Sequence, residues 1–310
     1  MPSAKIGRFT TPAGRAQFEL AYEQGMRALP EPVDRHDVPT AFGRVRVYRF
    51  GDAGGVPLVL LHGRNGTSVM WRPNIAALAE RHCVLSVDLL GEPGGSVQSA
   101  PVRDGGDQAT WLTETLEELR IETAHLVGMS AGGWLACNYT VRAPQRVASL
   151  TLLDPAGTFA RIPFGTVLRT IPTLLPFTAD RALPRFIAYV DGRGQSDVHD
   201  PVARVIATGM RHYRVALPLP RPFSDDRLRS IRVPSLVVIA GRSVMHDPRR
   251  AFRRAQDLIP GVRAELWPEA THAVSGQCAD RVNARILGFI EHLGQDASAV
   301  SRPGRPPNGG

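Results

Sequence analysis

Apolar positions along the chain fall into two kinds of run. Pro57-Leu-Val-Leu-Leu-His62, Cys83-Val-Leu-Ser-Val-Asp88, Val147-Ala-Ser-Leu-Thr-Leu-Leu153 and Val233-Pro-Ser-Leu-Val-Val-Ile-Ala240 are nearly continuous. That is how a strand reads when both of its faces are covered. Arg44-Val-Arg-Val-Tyr-Arg-Phe50 alternates instead, as a half-exposed antiparallel strand does. Helical stretches separate the runs, at Trp71–Arg81, Asp107–Leu119, Pro248–Leu258 and Ala279–Leu293, with a further strand at Arg263-Ala-Glu-Leu-Trp267. Near the N-terminus, Thr11 can cap a helix to about Leu29, Pro12 suits its first position, and Phe18, Tyr22 and Met26 recur every fourth residue. Strands alternating with helices in this way predict a mostly parallel sheet flanked by helices on both faces.

From 156 to 226 that rhythm breaks. The segment is rich in Pro, Arg and aromatic residues, with short helical stretches and no strand pattern. A structureless loop of this length is unusual inside a domain, so it reads as a small helical lid. The expected organisation is an N-terminal helical extension (1–34), a core in two pieces (35–155 and 227–294), the lid (156–226) and a disordered tail (295–310).

Composition removes several function classes. The chain has 310 residues, 43% of them hydrophobic, enough for one large α/β domain with an insertion. A net charge of +8 suggests a nucleic-acid partner at first sight. Lysine occurs once, at Lys5, however, and the arginines are scattered among acids with no run interleaved with aromatics, so no nucleic-acid partner is expected. Cys83, Cys137 and Cys278 are far apart and form no Cys-x-x-Cys pair, which argues against a zinc knuckle, a redox motif or a disulfide framework. No apolar run reaches membrane-spanning length and no signal-peptide core is evident, so a cytoplasmic protein without a membrane partner is expected. Oligomeric state is not legible.

The candidate chemistry sits in His125-Leu-Val-Gly-Met-Ser-Ala-Gly-Gly-Trp-Leu-Ala136. An apolar strand is followed by Gly128-x-Ser130-x-Gly132 and then by the start of a helix. A nucleophilic serine on so tight a turn needs neighbours without bulk, and the helix adds the positive end of its dipole beside it. The natural general base is His272, in Pro268-Glu-Ala-Thr-His-Ala273 just past the last strand, where a loop can reach back over the sheet. His36, His82, His125, His199, His212 and His292 sit in ordinary surface, strand or helix settings.

With these motifs in place, residues 40–293 resemble the α/β-hydrolase superfamily. The matching features are His62-Gly63 after the third strand, Gly128-x-Ser130-x-Gly132 after the fifth, the insertion after the sixth and His272 after the eighth. The resemblance implies an eight-stranded α/β-hydrolase fold with a helical cap, Ser130 as nucleophile, His272 as base, and the backbone N–H groups of Arg64 and Ala131 as an oxyanion hole. One position departs from the pattern. Where the family usually has its acid, the loop after the seventh strand reads Gly241-Arg-Ser-Val-Met-His-Asp247-Pro. Asp247 there also suits a helix cap. The favoured candidate is Asp154, at the end of the sixth strand, with Asp247 as the alternative acid and a site with no acid as the third possibility.

The leading expectation is a serine hydrolase that cleaves an ester or thioester of a small-to-medium organic molecule through an acyl-enzyme, with no metal and no organic cofactor. The alternative keeps the fold but changes the chemistry to that of a cyclase, lyase or acyltransferase acting on a specialised metabolite. A non-catalytic receptor is a third reading, weakened by the presence of both Ser130 and His272. Substrate-binding residues are not identified beyond the lid.

Overall fold

The continuous apolar runs form the middle of a sheet. The computed structural model of the chain describes residues 5–175, 177–192 and 200–300. Its main strands are β1 (Asp34–Thr40), β2 (Gly43–Phe50), β3 (Leu58–Leu61), β4 (Val84–Val87), β5 (Ala124–Met129), β6 (Val147–Leu153), β7 (Ser235–Ala240) and β8 (Arg263–Trp267). They lie side by side in the order β8-β7-β6-β5-β3-β4-β2-β1. All neighbours from β8 to β4 pair in parallel, whereas β2 is antiparallel to β4 and to β1. A two-residue strip, Val97–Gln98, adds antiparallel pairing to Gly43 and Arg44.

Every residue of β3, β4 and β7 is buried, which explains why these strands show no alternation. Their side chains still separate by twos. Val59, Leu61, Leu126 and Val237 join one core with Trp111, Leu135 and Ala251. Leu58, Leu60, Val127 and Val238 join the other with Phe18, Ile75 and Ile286. The first core is closed by α3 (Gly105–Glu118), α4 (Ala131–Arg142) and α9 (Pro248–Leu258), the second by α1 (Pro12–Met26), α2 (Arg72–Ala79), the short α10 (Val274–Gln277) and α11 (Ala279–Val300). Truncating one buried leucine such as Leu60 to alanine should cost about 2–5 kcal/mol, because the close-packed neighbours relax only partly into the gap.

α1 starts as its sequence predicts: Thr11 Oγ1 accepts the Gly14 N–H at 3.0 Å and Pro12 occupies the first turn. α11 runs on to Val300, beyond Leu293 where the apolar pattern ends. Residues 295–300, the start of the expected disordered tail (295–310), instead continue this helix, and 301–310 lie outside the described residues.

Between β6 and β7 the described residues form α5 (Phe164–Leu174), α6 (Ala179–Asp191), α7 (Pro201–His212) and α8 (Asp225–Arg229). One element there has no strand pattern in the sequence: Tyr213–Arg214 pairs with Arg8–Phe9 of the N-terminal segment. Too short to alternate, it is set by its partner rather than by local sequence.

Because six consecutive sheet positions run parallel, their carboxyl ends line up at one edge, where open α/β sheets bind ligands. The inserted helices touch that edge. Thr166 of α5 donates to the Val244 carbonyl at 2.6 Å, in the loop after β7. A Cβ on Gly209 of α7 would lie 3.3 Å from Asn65 Cβ, in the loop after β3. One on Gly192, after α6, would meet Thr271 at 2.5 Å, in the loop after β8.

Candidate active site

The turn from β5 into α4 is built on close backbone approach. Ser130 has φ 53° and ψ −116°, a conformation unfavourable for any residue with a side chain and worth about 1–3 kcal/mol of strain. What holds it there is the absence of bulk around it. A Cβ on Gly132 would sit 2.0 Å from the Leu61 carbonyl oxygen, and one on Gly128 would sit 2.4 Å from that of Gly132. Neither approach is compatible with a side chain, so the two glycines flanking Ser130 are a steric requirement. The Ser130 N–H is anchored on the Leu153 carbonyl at 3.1 Å.

Three strand ends then meet. His272, in the loop after β8, places Nε2 2.8 Å from Ser130 Oγ. Its Nδ1 is 2.5 Å from Asp154 Oδ2. Asp154 is fully buried at the end of β6 and itself strained, at φ 40°. Its carboxylate accepts the Ala240 N–H on Oδ1 at 2.9 Å and the Ser243 hydroxyl on Oδ2 at 2.6 Å. Burial alone would push this carboxyl up. Interactions with the neighbouring imidazoles, His246 first and then His272, outweigh burial and hold it well below the usual carboxylate range. An ionised carboxylate only accepts, so the hydrogen of the His272 imidazole lies on Nδ1. Nε2 is then free to accept the Ser130 hydroxyl proton.

Asp247, the alternative acid, is not part of this cluster. It is exposed and caps α9, accepting the Arg250 N–H at 3.0 Å. His246, which carries no signal in the sequence, is part of it. Buried at 2% exposure, it holds Nε2 3.0 Å from Asp154 Oδ1, but without the alignment of a hydrogen bond. A histidine in an aperiodic loop gives no hint of burial. Its position one residue before an Asp-Pro helix start, just after a buried strand, is the only clue available.

The loop after β3 lies against the serine: a Cβ on Gly63 would be 3.2 Å from Ser130 Cβ. Its shape is fixed from several sides. His62 is buried, accepts the Leu89 N–H on Nε2 at 3.0 Å and so donates from Nδ1 to the Gly63 carbonyl at 2.7 Å. Burial pushes the His62 ring down, which suits this neutral, two-way role. Glu92, buried in the loop after β4, accepts the Asn65 N–H at 3.1 Å and lies 3.8 Å from Arg64 Nε. Asn65 and Thr67 take left-handed backbone angles, φ 58° and 51°. The amides of Arg64 and Ala131 have no hydrogen-bond partner among the described residues, which leaves two backbone donors free beside the nucleophile.

A narrow cleft nearby is bordered by Arg64, Leu89, Ala131, Trp134, Leu217 and Pro220. A larger recess of about 920 Å³, between Asp34, Arg49, Pro57, Cys83 and Arg120, opens at the other edge of the sheet and has no part in this chemistry. Among the described residues no three His, Cys, Asp or Glu side chains converge as a metal-ligand set, and no helix is long and apolar enough to cross a membrane.

The fold has clear counterparts. The family model of the alpha/beta hydrolase fold matches residues 56–276. Carboxylesterase YbfK of Bacillus subtilis is 32% identical over 285 residues, covering 88% of this chain and 93% of the relative. Its crystal structure superposes with a TM-score of 0.84 over 90% of this chain and 98% of the other. The crystal structure of naproxen esterase from the same organism is 28% identical, with a TM-score of 0.83 over 90% and 99% of the two chains. A matched segment of this length, relatives alike from end to end, and a serine on a strained strand-to-helix turn leave one conclusion: the chain belongs to the α/β-hydrolase fold family.

Proposed function

We propose that the protein is a carboxylic-ester hydrolase acting on small organic esters, with Ser130, His272 and Asp154 as its catalytic triad. The observation that carries this reading is the unbroken run of contacts from Ser130 Oγ to His272 Nε2 and from His272 Nδ1 to Asp154 Oδ2, at 2.8 and 2.5 Å.

Each residue has a definite task. Ser130 Oγ attacks the ester carbonyl while His272 Nε2 takes its proton. The negative charge that develops on the former carbonyl oxygen is met by the N–H groups of Arg64 and Ala131, where losing one such donor typically costs about 10²–10³ in rate. As the ester bond breaks, His272 returns the proton to the leaving alcohol. Water then attacks the acyl-Ser130 ester, again with His272 as base, and releases the acid. Asp154 stays ionised throughout, fixing the Nδ1–H tautomer and stabilising the imidazolium. Ser243, His246 and the Ala240 amide hold Asp154 in place and in charge.

The helices between 156 and 226 act as a lid over this edge, a reading supported by their contacts with the loops after β3, β7 and β8. The non-hydrolytic alternative drew its weight from the missing carboxylate in the loop after β7. A carboxylate bonded to His272 from the next strand takes that weight away.

The test is intact-mass analysis after treatment with a fluorophosphonate probe, which reports an activated serine with no assumption about substrate. One equivalent should attach to the wild-type chain and none to folded Ser130→Ala. Equal labelling of both would reject Ser130 as nucleophile.

A further inference from the structure

One helix of the insertion is turned inside out. An amphipathic helix on a protein surface buries its apolar stripe and shows its polar face to water. α5 does the reverse. Phe164, Val167, Leu168, Ile171 and the following Leu175 fall on one side at about 100° per residue, and all five are exposed, Phe164 by 74%. Phe177, just beyond, is 98% exposed. The inward side is carried by threonines. Thr166 is buried with its hydroxyl on the Val244 carbonyl, and buried Thr173 donates to the Thr170 carbonyl at 2.6 Å. Scattered exposed leucines are ordinary, but a contiguous stripe of this kind marks a surface that meets an apolar phase.

The surrounding charge says which phase. The stretch 156–190 holds four arginines, Arg161, Arg169, Arg181 and Arg185, against a single acid, Asp180. All four arginines are exposed, and Asp180 is already engaged by Arg211 of α7. Arg181 and Arg185 stand one turn apart on α6, which packs against α5. A second copy docked on the same face would bring arginines against arginines. An anionic lipid surface accepts both features, since its acyl boundary takes the aromatic and aliphatic side chains while its headgroups neutralise the guanidinium groups.

We propose that the outward face of α5, with Phe177, docks the protein onto anionic lipid bilayers. The sequence expectation of no membrane partner rested on the lack of a spanning segment, which interfacial docking does not require. The proposal stands apart from the triad: ester chemistry can hold without it, and it can hold without ester chemistry.

The test is co-sedimentation of the full chain with vesicles of phosphatidylglycerol, with phosphatidylcholine vesicles as the uncharged control. Wild-type protein should pellet with the first far more than with the second and be released by salt. Replacing Phe164→Ser, Leu168→Ser and Phe177→Ser together should weaken binding by about tenfold or more, with the circular-dichroism spectrum of the free protein unchanged. Should the triple variant fail to fold, the single variant Phe177→Trp reads the same contact: its fluorescence should be quenched by brominated phosphatidylglycerol. The proposal is overturned by wild-type protein that stays in solution or pellets equally with both lipids. It is overturned equally by a folded triple variant that binds as well as wild type, by Phe177→Trp fluorescence untouched by the brominated lipid, or by light scattering that shows this face joining two copies.

Discussion

The loops after β6 and β7 each carry an aspartate followed by proline, Asp154-Pro155 and Asp247-Pro248, and the two pairs serve opposite ends. Asp154 is fully buried, strained, and engaged by a backbone amide, a serine and a histidine. Asp247 is exposed and spends its carboxylate on the first turn of α9. The same dipeptide is thus a buried charge in one loop and a helix start in the other. What separates them is the length of chain after the strand. Asp154 follows Leu153 directly, so its side chain is held at the sheet edge between β5 and β7. Asp247 lies seven residues past Ala240, where the chain has already turned outward. In between, Ser243 gives its hydroxyl to Asp154, so the β7 loop supports a carboxylate supplied from β6.

The largest effect is expected at the nucleophile. Ser130→Ala should lower ester turnover by about 10⁶-fold, with an unchanged thermal midpoint; residual activity near wild type would mean that neither aspartate serves this serine. Asp154→Asn comes next, at roughly 10⁴-fold in kcat, because the amide favours the wrong imidazole tautomer. Asp247→Ala should leave kcat within about twofold and lower unfolding free energy by about 1 kcal/mol through the lost cap, whereas Asp247→Asn, which caps as well, should be nearly silent in denaturant melts.

Acid titration gives the smallest effect and sharpens the contrast from another side. The folded-state value of Asp154 lies below its unfolded value, so its contribution to stability is complete above the unfolded carboxylate range and is lost progressively as pH falls from that range through the depressed folded value. Mild acid should therefore leave it ionised. His125 behaves differently: burial, and secondarily the charge of His82, push it down to about 4 from 6.5. A depressed histidine makes the unfolded chain bind more protons, so stability should decline as pH drops from about 6.5 to about 4. His125→Gln should flatten that part of the denaturation profile. An unchanged slope would place the acid sensitivity elsewhere.

Much of this was legible in the sequence, for definable reasons. Buried parallel strands have to be continuous apolar runs, and the glycines around Ser130 are demanded by contacts of 2.0–2.4 Å, so both leave marks at fixed spacing. β1 left none. Asp34-Arg-His-Asp-Val-Pro-Thr40 is an edge strand with only Val38 buried, and its pairing to β2 comes from tertiary context. The acid stayed open between Asp154 and Asp247 because Asp-Pro reads alike in both loops. His246 escaped because burial in a loop has no period, and the outward stripe of α5 because an apolar periodicity says which residues share a face but not which way that face points.

Which aspartate holds His272 is read directly by a proton NMR spectrum. An imidazole Nδ1–H donated to a buried carboxylate gives a far-downfield resonance. That resonance should be present in wild type and in Asp247→Asn, disappear in His272→Ala, and be absent or shifted strongly upfield in Asp154→Asn. A resonance that survives Asp154→Asn but vanishes in Asp247→Asn would contradict the account and return the acid to the loop after β7.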